Sequence, residues 1–341
     1  MSDTAPAELE LFTTFSYSKA DQRDYLTQIR QIAQWSEQAG FHGTLIYTDN
    51  STVDPWLVGQ EVLRSTERLA PLIALQPAYL HPYAAAKMIA TYGCLYGRRV
   101  CLNLVAGGFQ NDLAALGDRT PHDERYQRLV EYALIIKGLL AGPEPVTFGG
   151  RYYAVKNLAM TPSLPPAIQP GILISGSSPA GLAAAGAIGA TPIRYPEPLN
   201  DNSPVDVAIG GVRIGIIARE TSAEAWRVAL DRFPPDRRGR IMHTMAKKVS
   251  DSHWYARLSD LEERPAGPDS PYWLGPFRNY RSRCPYLVGS YQEVSAEVAR
   301  YIQLGCHTFI LDVPRNEEEL QYTALVFEQA AAAVADIVRA D

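Results

Sequence analysis

Four groups of residues have types and spacing that could do chemistry. The first is SGSSPAG, residues 175–181, which ends the apolar run at 172–174 and opens a stretch of small residues that reads as a helix. Backbone amides at a helix N-terminus, flanked by the hydroxyls of Ser177 and Ser178, make an anion site. Gly176 and Gly181 have the gap of a P-loop. However, Leu182-Ala183 stands where Lys-Ser/Thr would have to hold a nucleotide's outer phosphates. G-x-G-x-x-G is also missing, so there is no dinucleotide fingerprint. What remains is a turn able to hold one terminal phosphate, and a capped tight turn without a ligand has the same pattern.

The second group is TPHDERYQR, residues 120–128. His122 and Tyr126 are four apart, share a helix face and can point at one ligand, either a planar polar ring or a phosphate. A half-exposed helix start, with Asp123 and Glu124 favourable in its first turn, reads the same way. The third is Arg213 inside the apolar VRIGIIA, where a buried guanidinium must meet an acidic side chain or an anionic or polar substrate. The fourth is Asn103, which interrupts VCLNLV just before Ala106-Gly107-Gly108. A buried amide needs partners, and the glycines let a flat ligand approach the backbone.

Other chemistries find no support. HExxH, GxSxG and Cys–His arrangements are absent. Cys94, Cys101, Cys284 and Cys306 lack CxxC spacing, so no metal site or disulfide framework is expected, only buried reduced thiols. Polar binders without strong acids, bases or metal ligands point to a bound cofactor that carries the reaction.

The elements that must position these residues alternate. Strands are expected at 9–15, 41–47, 71–76, 100–105, 172–174, 190–194, 212–218 and 308–311. Helical periodicity runs from Asp21 to about Ala39, over 53–69, 83–96 and 126–140, after Pro179, and over the closing segment. That last helix takes Asn316 as cap and three glutamates in its first turn, with Leu320, Ala324, Phe327, Ala331 and Val334 on one face. Eight strand–helix units mean parallel strands joined by helical crossovers, and eight close naturally into a (β/α)8 barrel. An open doubly wound sheet is the alternative, but it gives no reason to stop at eight. The chain is therefore expected to be one α/β barrel domain over 1–341 with two insertions. One is a hairpin in 145–165. The other is a segment of 233–285, rich in Pro, Arg, Lys, Tyr and Trp, where a barrel builds or covers its active site. A disordered surface insert is the other reading of that segment.

Of the 341 residues 46% are hydrophobic and 20% charged, so a large core is available. The net charge of −5 argues against nucleic acid or an anionic membrane as main partner. The polar, acidic start MSDTAPAELE and the lack of long apolar runs fit a soluble cytoplasmic protein.

The same residues carry a family likeness. The sequence resembles the flavin-dependent luciferase-like monooxygenases, in particular the alkanesulfonate monooxygenase branch. The similar pieces are EQAGFHGTLIYTDNSTVDPWLV, RLAPLIALQPAYLHPYAAAKMIAT, NLVAGG with HDERY, PVTFGGRYYAV, SGSSPAG and YLVGSYQEVSAEVARYIQLGCHTFIL, in that order. The resemblance implies a (β/α)8 barrel that uses FMN, reduced by a separate flavin reductase, and O2 as co-substrate. It also implies a homodimer or homotetramer. Carried over by position, it places Thr48 and Gln76 against the flavin, His122 and Tyr126 along its side chain, and Ser177 and Ser178 at its phosphate. Asn103 joins this cofactor set, and Arg213 is the candidate catalytic cation. The segment 233–285 corresponds to the family's mobile lid.

The departures from the alkanesulfonate pattern concern the substrate. Thr52 stands where those enzymes have a cysteine, and FTTFSYS lacks their early histidine. Gly215 replaces a histidine two positions after Arg213, and Val313-Pro314 replaces a tyrosine. Arg278, Arg281 and Arg283 lie near the lid arginine without aligning cleanly. The expectation is a two-component FMN-dependent monooxygenase acting on a small organic substrate other than a simple alkanesulfonate. Three alternatives stand beside it. One is an oxygenase tailoring a specialised metabolite by hydroxylation or Baeyer–Villiger insertion, possibly on a carrier protein, and the aromatic, basic lid with Trp254, Tyr272 and Trp273 suits such a larger substrate. The others are a deazaflavin-dependent oxidoreductase and a non-catalytic flavin-binding partner subunit.

Overall fold

Alternate residues of the apolar strands part into two layers. Phe12, Leu45, Leu72, Ala74, Cys101, Leu173, Ile193 and Ile310 pack together in one buried cluster, while Ile46, Ile73, Leu102, Ile174, Val212 and Phe309 join the helix side chains in another. The first cluster fills the inside of a barrel and the second lies between barrel and helices. Strands buried on both faces read as continuous apolar runs, which is why the sequence shows so little alternation.

The computed structural model describes residues 9–15, 24–199, 210–261, 267 and 270–340. The first half holds β1 (Glu10–Phe15), α1 (Tyr25–Gln38), β2 (Gly43–Ile46), α2 (Pro55–Ser65), β3 (Ala70–Leu75), α3 (Pro82–Tyr96) and β4 (Cys101–Leu104). Then come α4 (Gln110–Ala115), α5 (His122–Ala141), β5 (Val146–Gly149), β6 (Ala154–Leu158), β7 (Ile172–Ser175), α6 (Pro179–Ile188) and β8 (Thr191–Arg194). The remainder is β9 (Gly210–Arg219), α7 (Ser222–Arg232), α8 (Arg237–Val249), α9 (His253–Asp260), β10 (Tyr272–Trp273) and α10 (Gly275–Arg278). It closes with β11 (Tyr286–Ser290), α11 (Tyr291–Gln303), β12 (Cys306–Leu311) and α12 (Glu317–Ala340).

Parallel pairing runs β1-β2-β3-β4-β7-β8-β9-β12 and returns to β1, so eight strands close a barrel. The antiparallel pair β5–β6 stands outside it. β9 is longer than expected and does two jobs. Its first half pairs with β12, and its second half runs on to take β11 in parallel, with β10 added antiparallel at the edge. Among the described residues no helix is long and apolar enough to cross a membrane.

Several boundaries move from their expected places for local reasons. The helix expected over 53–69 starts later, because the Asp54 carboxylate accepts from the amides of Trp56 and Leu57 and Pro55 takes the first position. α5 begins at His122, a turn earlier than the apolar pattern shows. Residues 21–23, where the first helix was expected to start, lie outside the described residues. Asn316 caps α12 as expected, with its Oδ1 accepting from the amide of Glu319 at 3.0 Å. Ala331 of that helix is exposed, however, and Ala330 takes its place on the buried face beside Phe327. Cys94, expected buried, is exposed on α3, whose inward face is Ala86, Ile89, Ala90 and Gly93.

Candidate active site

Following the inward alternation of each strand one step beyond the apolar layer gives eight polar positions. They are Thr14, Tyr47, Gln76, Asn103, Ser175, Tyr195, Arg213 and Asp312, one from each barrel strand or the residue just past its end. Six of them (Tyr47, Gln76, Ser175, Tyr195, Arg213 and Asp312) line a cavity of about 600 Å³ at the C-terminal ends of the strands. That is the face where barrel enzymes work, and the size suits a cofactor with a substrate beside it. The other two do not reach it. Thr14 donates to the Leu311 carbonyl at 2.5 Å. Asn103, read from sequence as a cofactor contact, is 4% exposed and its Oδ1 accepts from the Ser175 hydroxyl at 2.8 Å. Its buried amide therefore found a partner in the protein and holds Ser175 in place.

One corner of the cavity gathers hydroxyls and a helix N-terminus that could hold an anion. Ser178 is the N-cap of α6, its hydroxyl accepting from the Gly181 amide at 3.1 Å. Tyr126 also hydrogen-bonds Ser178, and burial raises its pKa, which keeps the phenol protonated and able to donate. Gly176 is required here, since a Cβ would stand 2.4 Å from the Tyr126 hydroxyl. The His122 ring meets Tyr126 edge-on at 5.2 Å and lies 5.0 Å from the ring of His253 in α9. Ser177, Ser178, His122 and Tyr126 all line the cavity, together with Thr48 and Gln76. Gly107 has φ +98°, and a Cβ there would meet Gln76 Oε1 at 2.8 Å, so the β4 loop passes tightly over the Gln76 amide.

Another part of the wall belongs to Arg213, two strands on from Ser175. It is 3% exposed, its guanidinium lies 4.5 Å over the Tyr47 ring, and Nε and Nη2 have no hydrogen-bond partner. Burial pulls its pKa down, against the pull of Asp312. The nearby acid Asp312 has other hydrogen-bond partners: its Oδ2 accepts from Ser282 at 2.5 Å and from the Tyr286 hydroxyl at 2.8 Å. Beside them Cys284 is pushed up to about 12 by burial, so it stays a neutral thiol. A Cβ on Gly215 would fall 2.3 Å from the Tyr286 ring, so that ring fills the space a larger residue at 215 would need.

The remaining wall comes from residues 232–283. The Trp254 indole stacks on the Tyr195 ring at 3.5 Å and 7°. Arg125 of α5 reaches Asp251 at 2.5 Å, and Ser250 bridges to Phe109 and donates to the Gly108 carbonyl at 3.3 Å. Trp254, Arg281 and Arg283 line the cavity, whereas Tyr272, Trp273 and Arg278 do not. Tyr272 donates instead to the Pro196 carbonyl, and Trp273 packs on Trp226 and Phe233. Sequence reasoning missed Tyr47, Tyr195, Tyr286 and Asp312. For Tyr47, Tyr195 and Asp312 the signal was present as the next inward position of a strand, while Tyr286 arrives on β11, which no periodicity announced.

Known proteins share this sequence pattern and this fold. The family model for luciferase-like monooxygenases matches residues 9–308. A relative from Niallia circulans, 4-(gamma-L-glutamylamino)butanoyl-[BtrI acyl-carrier protein] monooxygenase BtrO, is 34% identical over 314 residues, covering 90% of this chain and 92% of its own. Among solved structures, EDTA monooxygenase from Chelativorans sp. BNC1 superposes with a TM-score of 0.67 at 14% identity, covering 96% of this chain and 95% of that one. The oxygenating constituent of 3,6-diketocamphane monooxygenase from Pseudomonas putida, solved with FMN, gives 0.68 at 16% identity, covering 96% and 99%. At those identities the solved structures share the fold.

Proposed function

The chain belongs to the luciferase-like monooxygenase family and is an enzyme, and from that premise we propose that it oxygenates an acyl group presented on a carrier protein. The cofactor would be reduced FMN supplied by a separate reductase, with O2 as co-substrate. Two observations support the flavin. The Ser177–Ser178–Tyr126 corner has the amides and hydroxyls a terminal phosphate needs, and the cavity continues from it past Gln76 and the β4 glycine loop, where a flat ring can lie against backbone. Bound there, FMN supplies the activation of O2 that no side chain of this chain could provide.

The chain's own residues do the rest. Ser177, Ser178 and Tyr126 hold the phosphate and His122 flanks it. Gln76 and Thr48 orient the ring. Trp254, laid on Tyr195, keeps bulk water off the reacting face. Arg213 lines the cavity as a buried cation whose Nε and Nη2 have no hydrogen-bond partner, which suits an oxygen that gains negative charge during the reaction. That unpaired, buried cation is the observation that carries a catalytic role over a purely flavin-storing one. The carrier-bound substrate rests on the likeness to the Niallia circulans enzyme, whose name gives such a substrate.

The test starts with titration by oxidised and reduced FMN and by a deazaflavin. O2 consumption and product mass are then followed with one acyl group offered on a carrier protein and on a short pantetheine. Binding of reduced FMN and faster oxygenation of the carrier-bound form support the proposal. Preference for the deazaflavin, or flavin binding without substrate-dependent oxygenation, would overturn it.

A further inference from the structure

The helix α8, RRGRIMHTMAKKV, buries one face only. Gly239, His243 and Ala246 turn inward; a Cβ on Gly239 would strike the Asn279 carbonyl, and the His243 ring packs on Tyr255 and Phe277. On the other side Ile241, Met242, Met245 and Val249 are 49%, 44%, 57% and 37% exposed. These four are a third of the twelve exposed large hydrophobics among the described residues, gathered on thirteen residues of helix. Single exposed apolar side chains are ordinary, but a contiguous stripe of them marks a surface that another molecule covers. Two of the four are methionines, whose flexible thioethers fit a partner of varying contour.

The charge around the stripe says what covers it. The chain carries a net −5, yet α8 has five Lys/Arg and no acid. Lys247 is tied to Asp260. Among the described residues Arg237, Arg238 and Lys248 form no ion pair, and all three are exposed. By helical spacing Arg238 and Lys248 sit at the two ends of the Ile241–Met245 row, with Arg237 beside it. An apolar row bracketed by basic residues complements a helix with an apolar row and acidic flanks. The row also leads to the active site, for Ser250, the C-cap of α8, and the residues after it up to Tyr255 line the cavity.

We propose that the exposed face of α8 docks an acidic helix of an acyl-carrier domain and so sets its tethered acyl arm at the cavity. The proposal rests on the carrier-bound reading of the substrate and assigns that reading its surface. It is tested with the full chain and a holo acyl-carrier protein labelled with a fluorophore on its pantetheine arm, followed by anisotropy. Three proteins are compared: wild type, the triple variant Arg237→Glu/Arg238→Glu/Lys248→Glu, and a control, Arg64→Glu/Arg68→Glu/Arg227→Glu, carrying the same charge change elsewhere. A neutral double variant, Ile241→Ser/Met245→Ser, probes the apolar row. Circular dichroism and FMN affinity check folding.

The α8 variants are expected to bind the carrier about tenfold or more weakly, with FMN affinity unchanged and the control binding like wild type. Equal carrier binding by wild type and all α8 variants overturns the docking site while leaving the carrier reading intact. No binding by wild type overturns both. α8-dependent binding of wild type to phosphatidylglycerol vesicles, or α8-dependent self-association, without carrier binding would assign the stripe to a lipid surface or a second copy and overturn the proposal.

Discussion

The cavity has two kinds of wall, held by different forces. On the barrel side, Tyr47, Gln76, Ser175, Tyr195, Arg213 and Asp312 stand on strands whose register is fixed by closure and by the packing of both faces. Moving any of them means shifting a strand against two neighbours. On the other side, α8 to α10 are held by ring contacts among His243, Tyr255, Trp254 and Phe277 and by a few cross-links to α5 and the β4 loop. The first wall suits residues whose placement must not vary, and the second suits a surface that admits and releases a substrate. The departures from the alkanesulfonate pattern lie at the edges of this contrast. Thr52 lines the cavity and Gly215 lies under the Tyr286 ring, while Ser177, Ser178, His122 and Tyr126, which the family likeness calls for, all line the cavity.

Four changes would break or sharpen that contrast. The largest effect is expected on the rigid wall. Arg213→Ala should lower kcat roughly 10²–10³-fold with little change in FMN affinity, as removal of a preorganised cation does, and Arg213→Lys should recover part of it. Single-turnover measurement with reduced flavin checks this, and an unchanged rate would remove Arg213 from the chemistry.

Next comes the anion corner. Ser178→Ala should weaken FMN about tenfold, as loss of a hydrogen bond to a charged group does. It should also cost ~1 kcal/mol of stability through the lost cap of α6, and calorimetric titration and a melting curve separate the two.

A smaller effect belongs to the helical wall. Trp254→Ala should remove about 1 kcal/mol of ring stacking on Tyr195 and speed hydrogen exchange over 237–260, leaving the barrel strands untouched. If barrel and lid loosened together, the two walls would be one cooperative unit.

The smallest effect is set by pH. Burial lowers the pKa of His243, with Arg278 and Lys247 acting in the same direction. The unfolded or opened chain therefore binds a proton more readily than the closed one. The contribution is complete above the ordinary value of 6.5 and is lost progressively as pH falls below it. Exchange over α8 and α9 should rise from that point downward, and His243→Gln should flatten the dependence.

The same division decides what could be read from sequence. The barrel was legible because eight apolar strands and their helices repeat, and the start of α6 because a hydroxyl, a proline and a run of small residues mark a capped turn. The start of α2 was not, since a cap at Asp54 overrides apolar periodicity, whereas the polar first turn of α5 was marked by Asp123 and Glu124. Asn103 misled because a buried amide announces a need for a partner without saying whether ligand or protein meets it. The lid side was opaque for a deeper reason. Its contacts join Trp254 to Tyr195 and Ser282 to Asp312, pairs far apart in sequence that no local pattern links.

The ring of Tyr286 over Gly215 bears on how this chain could change. A side chain cannot be added at position 215 while that ring is in place, and removing the ring would leave Asp312 Oδ2 with only the Ser282 hydroxyl of its two partners. The three positions are thus coupled: a change at one alters the space or the hydrogen bonding of the next, so substitutions at 215, 286 and 312 should not be additive in their effect on stability.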